Sequence, residues 1–135
     1  ASAMAHVSAY AVLIDVTARD IQDDAKKAGR PWAAAKGFDT FAPVSGAVPS
    51  VRVPDPHRLE IWLKVNGQYR QRGSTSQMIY DIPTVIEYVS HIMTLEPGDV
   101  IATGTPEGVG PLKAGDVVEA GIEGVGALKV SVTNG

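Results

Sequence analysis

An aspartate ends an apolar run near the start of this 135-residue chain, and an arginine and a glutamine follow it at helical spacing. These residues are Asp15, Arg19 and Gln22. A carboxylate in such a place can bind a divalent cation through oxygen, and a substrate carboxylate could lie beside it. A structural interpretation is also open, in which Thr17 caps a helix, Asp20 takes its N3 position, and the charged side chains are merely solvated.

The residue types exclude several other kinds of site. The chain has no cysteine, so it has no disulfide, no thiolate nucleophile and no cysteine-ligated zinc. His6, His57 and His91 lie far apart in sequence, and we interpret them as residues outside any metal site. The loop Gly104–Gly110 is not followed by the Gly-Lys-Ser/Thr sequence of a phosphate-binding loop, and no serine has a nucleophile-elbow context. A metal site must therefore rest on oxygen ligands, which suit Mg²⁺, Mn²⁺ or Ca²⁺.

Composition predicts one globular domain over residues 1–135, since 44% of the residues are hydrophobic and 20% are charged. The formal net charge of −3 argues against a nucleic-acid-binding protein, which would need a basic face. No apolar stretch approaches the ~18 to 20 residues of a membrane span, so we expect no membrane partner. The absence of cysteine fits a reducing compartment, and we expect a cytoplasmic protein, or a mitochondrial one in a eukaryote.

Local patterns in the first half indicate which elements would position the candidate residues. The apolar run Tyr10–Ile14 predicts a buried strand, and Thr17–Ala28 predicts a helix. Asp15 would then stand where the chain leaves the carboxyl end of a strand. Residues 37–56 are rich in glycine, proline, serine and aspartate, and they predict extended loops with edge-like strands.

The second half of the chain has clearer strand and turn signals. Alternation over Leu59–Val65, followed by Asn66 and Gly67, predicts a type I′ hairpin. Asp81 can cap a helix over Pro83–Met93. Further turns that precede or separate strands are predicted at Gly98-Asp99, Gly115-Asp116 and Gly124. Since strands dominate without regular strand–helix alternation, we expect an α+β, β-rich fold built as a mixed β roll.

Seven sequence blocks occur in a fixed order along the chain. They are Asp15–Lys27, Pro31–Asp39, Val65–Gly67, Arg70-Gln71, Ser74–Ile79, Leu95–Ile101 and Gly104–Gly110. In these blocks the chain resembles the fumarylacetoacetate hydrolase family, most closely its small single-domain members that hydrolyse acylpyruvates and decarboxylate oxaloacetate. The resemblance covers about residues 10–132 and implies a β-sandwich roll with the active site at one open end.

The resemblance also implies roles for particular residues. Asp15 matches the third metal ligand of the family, and Arg19 and Gln22 match positions near the substrate. Lys36 would ordinarily be a solvated surface lysine, but it matches a lysine that polarises a keto or enolate oxygen. Thr105 is either a turn residue or a hydroxyl that binds the 2-oxo acid end of the substrate, with glycines such as Gly104 letting backbone N–H groups approach.

The implied activity is that of an enzyme dependent on Mg²⁺ or Mn²⁺. It would bind a small β-keto or β-diketo acid and break a C–C bond through a pyruvate enolate, acting on acylpyruvates and on oxaloacetate. A related alternative is an isomerase and decarboxylase of ring-cleavage oxo-dioates, as in homoprotocatechuate degradation. The resemblance further implies a homodimer.

One expected feature has no counterpart in the sequence. The family carries a Glu-x-Glu pair that supplies two metal ligands, and a lid with a His-Glu pair, before the segment that opens this chain. No Glu-x-Glu occurs here. We therefore expect the C-terminal portion of a family member, with the N-terminal part missing. We also expect the isolated chain to be an inactive, non-catalytic fragment, because a single carboxylate binds a divalent cation weakly.

Overall fold

The computed structural model describes residues 3–134. Its helices and strands are, in chain order, β1 (Ala9–Tyr10), α1 (Arg19–Lys27), α2 (Ala33–Lys36), β2 (Val48–Pro49), β3 (Glu60–Val65), β4 (Gln68–Ser74), α3 (Ile82–Ile92), β5 (Val117–Ile122) and β6 (Gly126–Ser131). Short 3-10 helices lie at Ala3–His6, Ser50–Arg52 and Thr75–Gln77. Strands β1 and β2 form a small antiparallel pair, and the other four form an antiparallel sheet in the order β4-β3-β5-β6.

The hairpin between β3 and β4 has the predicted turn. Asn66 and Gly67 have φ angles of 51° and 78°, and a type I′ turn needs positive φ at both central residues. The predicted helix near residue 83 is also present as α3. The Asp81 carboxylate accepts a hydrogen bond from the backbone N–H of Thr84 at 2.9 Å, so Asp81 is the cap.

The predicted strand over Tyr10–Ile14 is wrong in its extent. Regular pairing stops at Tyr10, and among the described residues of this run only Leu13 forms a further bridge. The ladder cannot continue through Pro43, which offers its carbonyl to this segment but has no N–H to donate. The Ser45 hydroxyl accepts from the backbone N–H of Val12 instead, at 2.9 Å. The run therefore stays extended and buried without becoming a regular strand.

The strand predicted after Gly98-Asp99 is also wrong. The chain from residue 100 to residue 113 has no helix or strand, and Val100 is 71% exposed. A strand needs a neighbour that completes its hydrogen bonds, and prolines and glycines interrupt this stretch before one can pair with it. The equivalent turn at Gly115-Asp116 does lead into a strand, β5, which pairs with β3 and β6.

The core lies between the extended N-terminal segment and the four-stranded sheet. Its buried members are Val12, Ile14, Val53, Val65, Val118, Ala120 and Val125. Val118 is fully buried in the central strand β5. The architecture confirms the predicted α+β, β-rich class. Within residues 3–134, no helix is long and apolar enough to cross a membrane.

Candidate active site

Asp15 lies between two apolar residues that pack inward. Ile14 is buried in the core, and Val16 packs against it. Their backbone N–H groups donate to the carbonyls of Pro43 and Phe41, at 3.1 and 2.9 Å. Because alternate side chains of an extended segment point to opposite sides, the carboxylate between them faces outward. Asp15 is therefore an exposed carboxylate on a fixed backbone.

Lys36 lies against this carboxylate. Its ammonium donates hydrogen bonds to the Asp15 carboxylate and to the Thr17 hydroxyl, the latter at 3.1 Å. The lysine is placed by its neighbour Ala35, which is completely buried and whose carbonyl accepts from the backbone N–H of Ala18 at 2.9 Å. That bond ties the end of α2 to the start of α1. The sequence-based candidates Asp15 and Lys36 are thus brought together from 21 positions apart.

The ion pair between these residues stays open to solvent. The Lys36 side chain is 32% exposed and the Asp15 side chain 50% exposed. Exposed pairs contribute little to the stability of a fold, because water screens their attraction and both side chains lose freedom. Both charged groups can therefore meet a ligand without disrupting the core.

Arg19 and Gln22 form a second contact, on the first turn of α1. An Arg19 guanidinium nitrogen donates to the Gln22 side-chain oxygen at 2.7 Å. Gln22 is buried, so its amide is fixed, whereas Arg19 is exposed. Since guanidinium has five N–H donors, the bond to Gln22 leaves others available for an anion. The arrangement suits recognition of a carboxylate near Asp15.

Thr17 does not cap α1, so the structural interpretation of this segment is wrong on that point. The residue preceding the helix is Ala18, which has no capping side chain, and Asp20 is the second helical residue rather than the third. The Thr17 hydroxyl instead accepts from Lys36, as described above, and lies 3.4 Å from the carbonyl oxygen of Asp15. Sequence reasoning did not assign Thr17 to the site. The available signal was its position two residues after Asp15.

Thr105 lies in a separate group, on the glycine-rich loop. The side-chain nitrogen of Gln71, on β4, donates to the Thr105 hydroxyl at 2.7 Å and to the Pro106 carbonyl at 2.6 Å. Gly104 has a φ of 115° and Gly108 a φ of 98°, conformations that other residues rarely adopt. Gln71 carried no role in the sequence interpretation, although its block was one of the seven.

The structure does not join the two groups directly. Within residues 3–134, no hydrogen bond or ion pair links Thr105 to Asp15, Lys36 or Arg19. Both groups are attached to one core, because Val16 and Leu112, which follow Asp15 and the loop respectively, pack against it. The same core therefore fixes both.

The described residues do not by themselves fit a divalent cation. No group of three or more histidine, cysteine, aspartate or glutamate side chains could hold a metal ion in residues 3–134. Among the candidate residues Asp15, Thr17, Arg19, Gln22 and Lys36, Asp15 alone has a carboxylate. That carboxylate is paired with Lys36. A hard cation such as Mg²⁺ or Ca²⁺ is held by several oxygen ligands, usually more than one of them from the protein.

Comparison with known proteins agrees with this arrangement of blocks. The profile of the family described as fumarylacetoacetate (FAA) hydrolase C-terminal matches residues 1–133. The chain is 57% identical over 132 residues to the oxaloacetate tautomerase FAHD1, mitochondrial, of Bos taurus, with 98% of this chain and 60% of the bovine protein covered. It thus spans about three fifths of that relative's length.

Solved structures have the same fold. Fumarylpyruvate hydrolase from Pseudomonas aeruginosa, in complex with Mn²⁺ and pyruvate, superposes with a TM-score of 0.95 at 40% identity, covering 98% of this chain and 57% of that one. The 5-carboxymethyl-2-hydroxymuconate delta-isomerase of Mycobacterium smegmatis gives 0.83 at 46% identity, covering 93% and 48%. These relatives are a tautomerase, a hydrolase and an isomerase, so the family covers several reactions. The chain belongs to the fumarylacetoacetate hydrolase family and corresponds to its C-terminal domain.

Proposed function

We propose that the complete protein is an enzyme that acts on small 2-oxo acids through a pyruvate enolate, hydrolysing acylpyruvates and decarboxylating oxaloacetate. The observation that carries the proposal is the Lys36 ammonium, held by Asp15 and Thr17 yet open to solvent. A fixed cation that meets ligand can stabilise an oxygen whose negative charge develops during the reaction. The 40% identical hydrolase in complex with Mn²⁺ and pyruvate supports a pyruvate-like ligand.

In this proposal, different residues of the chain bind the substrate and stabilise the negative charge that develops on it. Arg19, fixed through buried Gln22, would hold a substrate carboxylate. Thr105, with backbone N–H groups near Gly104, would bind the 2-oxo acid end. In an acylpyruvate, water first adds to the distal carbonyl carbon, which then leaves as a carboxylic acid; in oxaloacetate, the C4 carboxylate leaves as CO₂. In both reactions the electron pair of the broken C3–C4 bond forms the new C2–C3 double bond, and negative charge develops on the C2 oxygen. Lys36 would stabilise that charge.

A divalent cation is part of the proposal for the complete protein, as Mg²⁺ or Mn²⁺. Such an ion polarises a carbonyl oxygen when it is bound. Asp15 is the carboxylate of this chain that would face it, and the remaining ligands would have to come from outside residues 3–134. The Mn²⁺ in the Pseudomonas aeruginosa relative supports the use of a divalent metal.

A second candidate function is the tautomerisation of oxaloacetate. The relative from Bos taurus, 57% identical over 132 residues, has that name. Keto–enol exchange moves one proton between C3 and the C2 oxygen, and it develops the same oxygen charge as C–C cleavage. The proposed Lys36 role therefore serves both reactions. The isomerase relative supports the third option, an oxo-dioate isomerase, in the same way.

The discriminating experiment compares substrates with the complete gene product. We would measure hydrolysis of acetylpyruvate, decarboxylation of oxaloacetate, enol–keto exchange of oxaloacetate, and conversion of a ring-cleavage oxo-dioate, each with Mg²⁺, Mn²⁺ or a chelator. We expect metal-dependent turnover of the first two substrates. Exchange without either cleavage would favour the tautomerase, and turnover of the dioate alone would favour the isomerase.

The chain by itself provides a second test of the metal proposal. Calorimetric titration of Mn²⁺ into the isolated chain should show no micromolar binding, because one carboxylate cannot replace a ligand set. The complete protein should bind the ion. Micromolar binding by the isolated chain, together with oxaloacetate turnover, would contradict the expectation that it is a non-catalytic fragment.

Further assignments of the complete protein are also proposals. We propose a homodimer that acts on a small-molecule β-keto or β-diketo acid. In a eukaryotic host we propose a mitochondrial location, supported by the mitochondrial designation of the relative from Bos taurus.

A further inference from the structure

Gln71 is a buried polar residue that the proposed chemistry has not used. It is 8% exposed, on strand β4 between the exposed residues Arg70 and Arg72. Among the described residues, the only other buried polar or charged side chain is Gln22, which holds Arg19. Burying an amide costs free energy unless its polar atoms are hydrogen-bonded. The hydrogen-bond partners of Gln71 therefore indicate its structural role.

Both hydrogen atoms of the Gln71 amide nitrogen have acceptors. One points to the Pro106 carbonyl oxygen at 2.6 Å and the other to the Thr105 hydroxyl oxygen at 2.7 Å. A carbonyl can only accept, so the amide must present its nitrogen on this side. The Thr105 oxygen is then an acceptor from Gln71. Its own hydrogen must point elsewhere, away from β4.

The glycine-rich loop packs closely against β4 beside Gln71. A side-chain carbon at Gly108 would lie 2.1 Å from the Arg70 carbonyl oxygen, and one at Gly73 would lie 3.3 Å from Pro106. The loop therefore cannot shift toward the strand. Thr105 is exposed, so the hydrogen turned away from Gln71 is available to a ligand.

We propose that Gln71 is a positioning residue, which makes the Thr105 hydroxyl a hydrogen-bond donor toward an anionic oxygen of the bound 2-oxo acid. The inference rests on the proposed function, since it names what holds one binding group of that site. A free hydroxyl can turn either its hydrogen or its lone pairs toward a ligand. With Gln71 donating to it, the hydroxyl is biased to present the hydrogen, which is the favourable orientation for a carboxylate.

The test compares variants of Gln71 and Thr105 in the complete protein with Mn²⁺. Pyruvate binding is measured by calorimetry and oxaloacetate turnover by kinetics. We expect Gln71→Met and Thr105→Val each to weaken pyruvate binding and to raise KM by about tenfold or more, the range for a lost hydrogen bond to a charged group. The kcat value should change less than KM, because the carboxylate is bound in both the ground and the transition state.

Two comparisons separate positioning from a general structural role. The double variant should bind pyruvate no more weakly than Thr105→Val alone, since Gln71 acts through that hydroxyl. Thr105→Ser, which keeps the hydroxyl, should bind more tightly than Thr105→Val. Gln68→Met removes an exposed glutamine from the same strand and should leave both KM and kcat unchanged.

Each contrary result has a distinct meaning. Additive losses in the double variant, or equal pyruvate binding by the Val and Ser variants at 105, would overturn the positioning role. If Gln71→Met does not fold, Gln71→Glu takes its place in both comparisons, because it keeps the length of the side chain and loses the N–H donors. Pyruvate binding without turnover by the unaltered protein would reject the proposed function, and the pyruvate affinities of the variants would still decide the role of Gln71. Neither binding nor turnover would reject both.

Discussion

The Lys36 ammonium uses two of its three N–H donors inside the protein. One goes to the Asp15 carboxylate and one to the Thr17 hydroxyl. The third remains for a ligand oxygen, and the two internal bonds limit where it can point. A flexible side chain is thereby given a defined direction at little cost to the fold.

This geometry, together with the proposed function, predicts the effect of Lys36→Ala in the complete protein. If the ammonium stabilises charge that develops only in the transition state, kcat should fall by roughly two to three orders of magnitude. The melting temperature should barely change, because the side chain is partly exposed and outside the core. Steady-state kinetics and thermal unfolding measure the two effects.

Two further variants help to interpret the effect of Lys36→Ala. Lys27→Ala removes an exposed lysine at the end of α1 and should leave kcat unchanged. Asp15→Ala should lose metal affinity first and activity as a consequence. A Lys36→Ala enzyme with near-normal turnover, or one that fails to fold, would remove Lys36 from the catalytic group.

At the scale of elements, the glycine-rich loop depends on one close backbone approach. Gly108 combines a φ of +98° with a position where a side-chain carbon would lie 2.1 Å from the Arg70 carbonyl oxygen. Gly108→Ala should therefore destabilise the protein by about 1–3 kcal/mol, the cost of a strained backbone position. It should also weaken pyruvate binding by lifting Thr105 from Gln71. Thermal unfolding and calorimetry measure the two effects.

The same loop contains its own control. A side-chain carbon added at Gly110 would meet no atom within 4 Å outside its chain neighbours, so Gly110→Ala should change neither the melting temperature nor pyruvate binding. Equal effects of the two substitutions would show that the approach to Arg70 does not hold the loop.

A second element, the turn that leads into β5, is fastened to the β3–β4 hairpin by Asp116. The backbone N–H of Lys113 and the Asn66 amide donate to its carboxylate, and they hold the pKa of Asp116 below the ordinary value of about 3.9. Since the folded pKa is the lower one, the stabilisation is fully present above the unfolded pKa. It is lost as the pH falls through the folded value.

Asp116→Asn should therefore reduce the acid dependence of stability. Thermal unfolding followed from about pH 6 to about pH 2 should show a smaller decrease in melting temperature for the variant than for the unaltered chain. Asp81→Asn should act in the same direction, because the hydrogen bond from Thr84 lowers the pKa of the Asp81 carboxylate. If both variants lose as much melting temperature at low pH as the unaltered chain, these two carboxylates do not cause the acid dependence of stability.

At the scale of the whole molecule, one core carries both groups of candidate site residues. Val118 is its fully buried centre. Val118→Ala removes two buried methyl groups and leaves a cavity, so the free energy of unfolding should fall by about 2 kcal/mol. Val100→Ala, at a position 71% exposed, is the matched control and should be nearly neutral in denaturant titrations. Similar losses of unfolding free energy in both variants would show that Val118 is not a core residue.

The whole surface predicts association. Several large apolar side chains are more than half exposed, among them Val51 at 89% and Ile79 at 91%. Exposed apolar side chains that lie together in one contiguous patch mark interfaces or aggregation sites. We expect that some of these residues form such a patch. Sedimentation of the chain at several concentrations should show dimers or larger species. A chain that stays strictly monomeric at every concentration would contradict this expectation and would indicate that its fold is self-contained.

The sequence by itself determined those features that neighbouring residues control. The Asn66-Gly67 turn follows from the positive φ that this pair accepts, and the start of α3 from the capping carboxylate of Asp81. The family followed from the order of the sequence blocks. The roles of Asp15 and Lys36 were inferred from their positions within those blocks and stay predictions. The predicted strands near Tyr10–Ile14 and after Asp99 failed, because pairing depends on a partner segment that local pattern does not specify.

Only the tertiary structure decided which side chains meet. Thr17 has the local chemistry of a helix cap, yet its hydroxyl binds Lys36, which comes from 19 positions away. Gln71 has the alternating position of an ordinary strand residue, yet it donates to Thr105, 34 positions further along. Hydroxyl and amide groups take whichever partner packing brings within reach. Packing is set by the burial of the valine-rich core that joins distant segments, so sequence spacing could not predict these contacts.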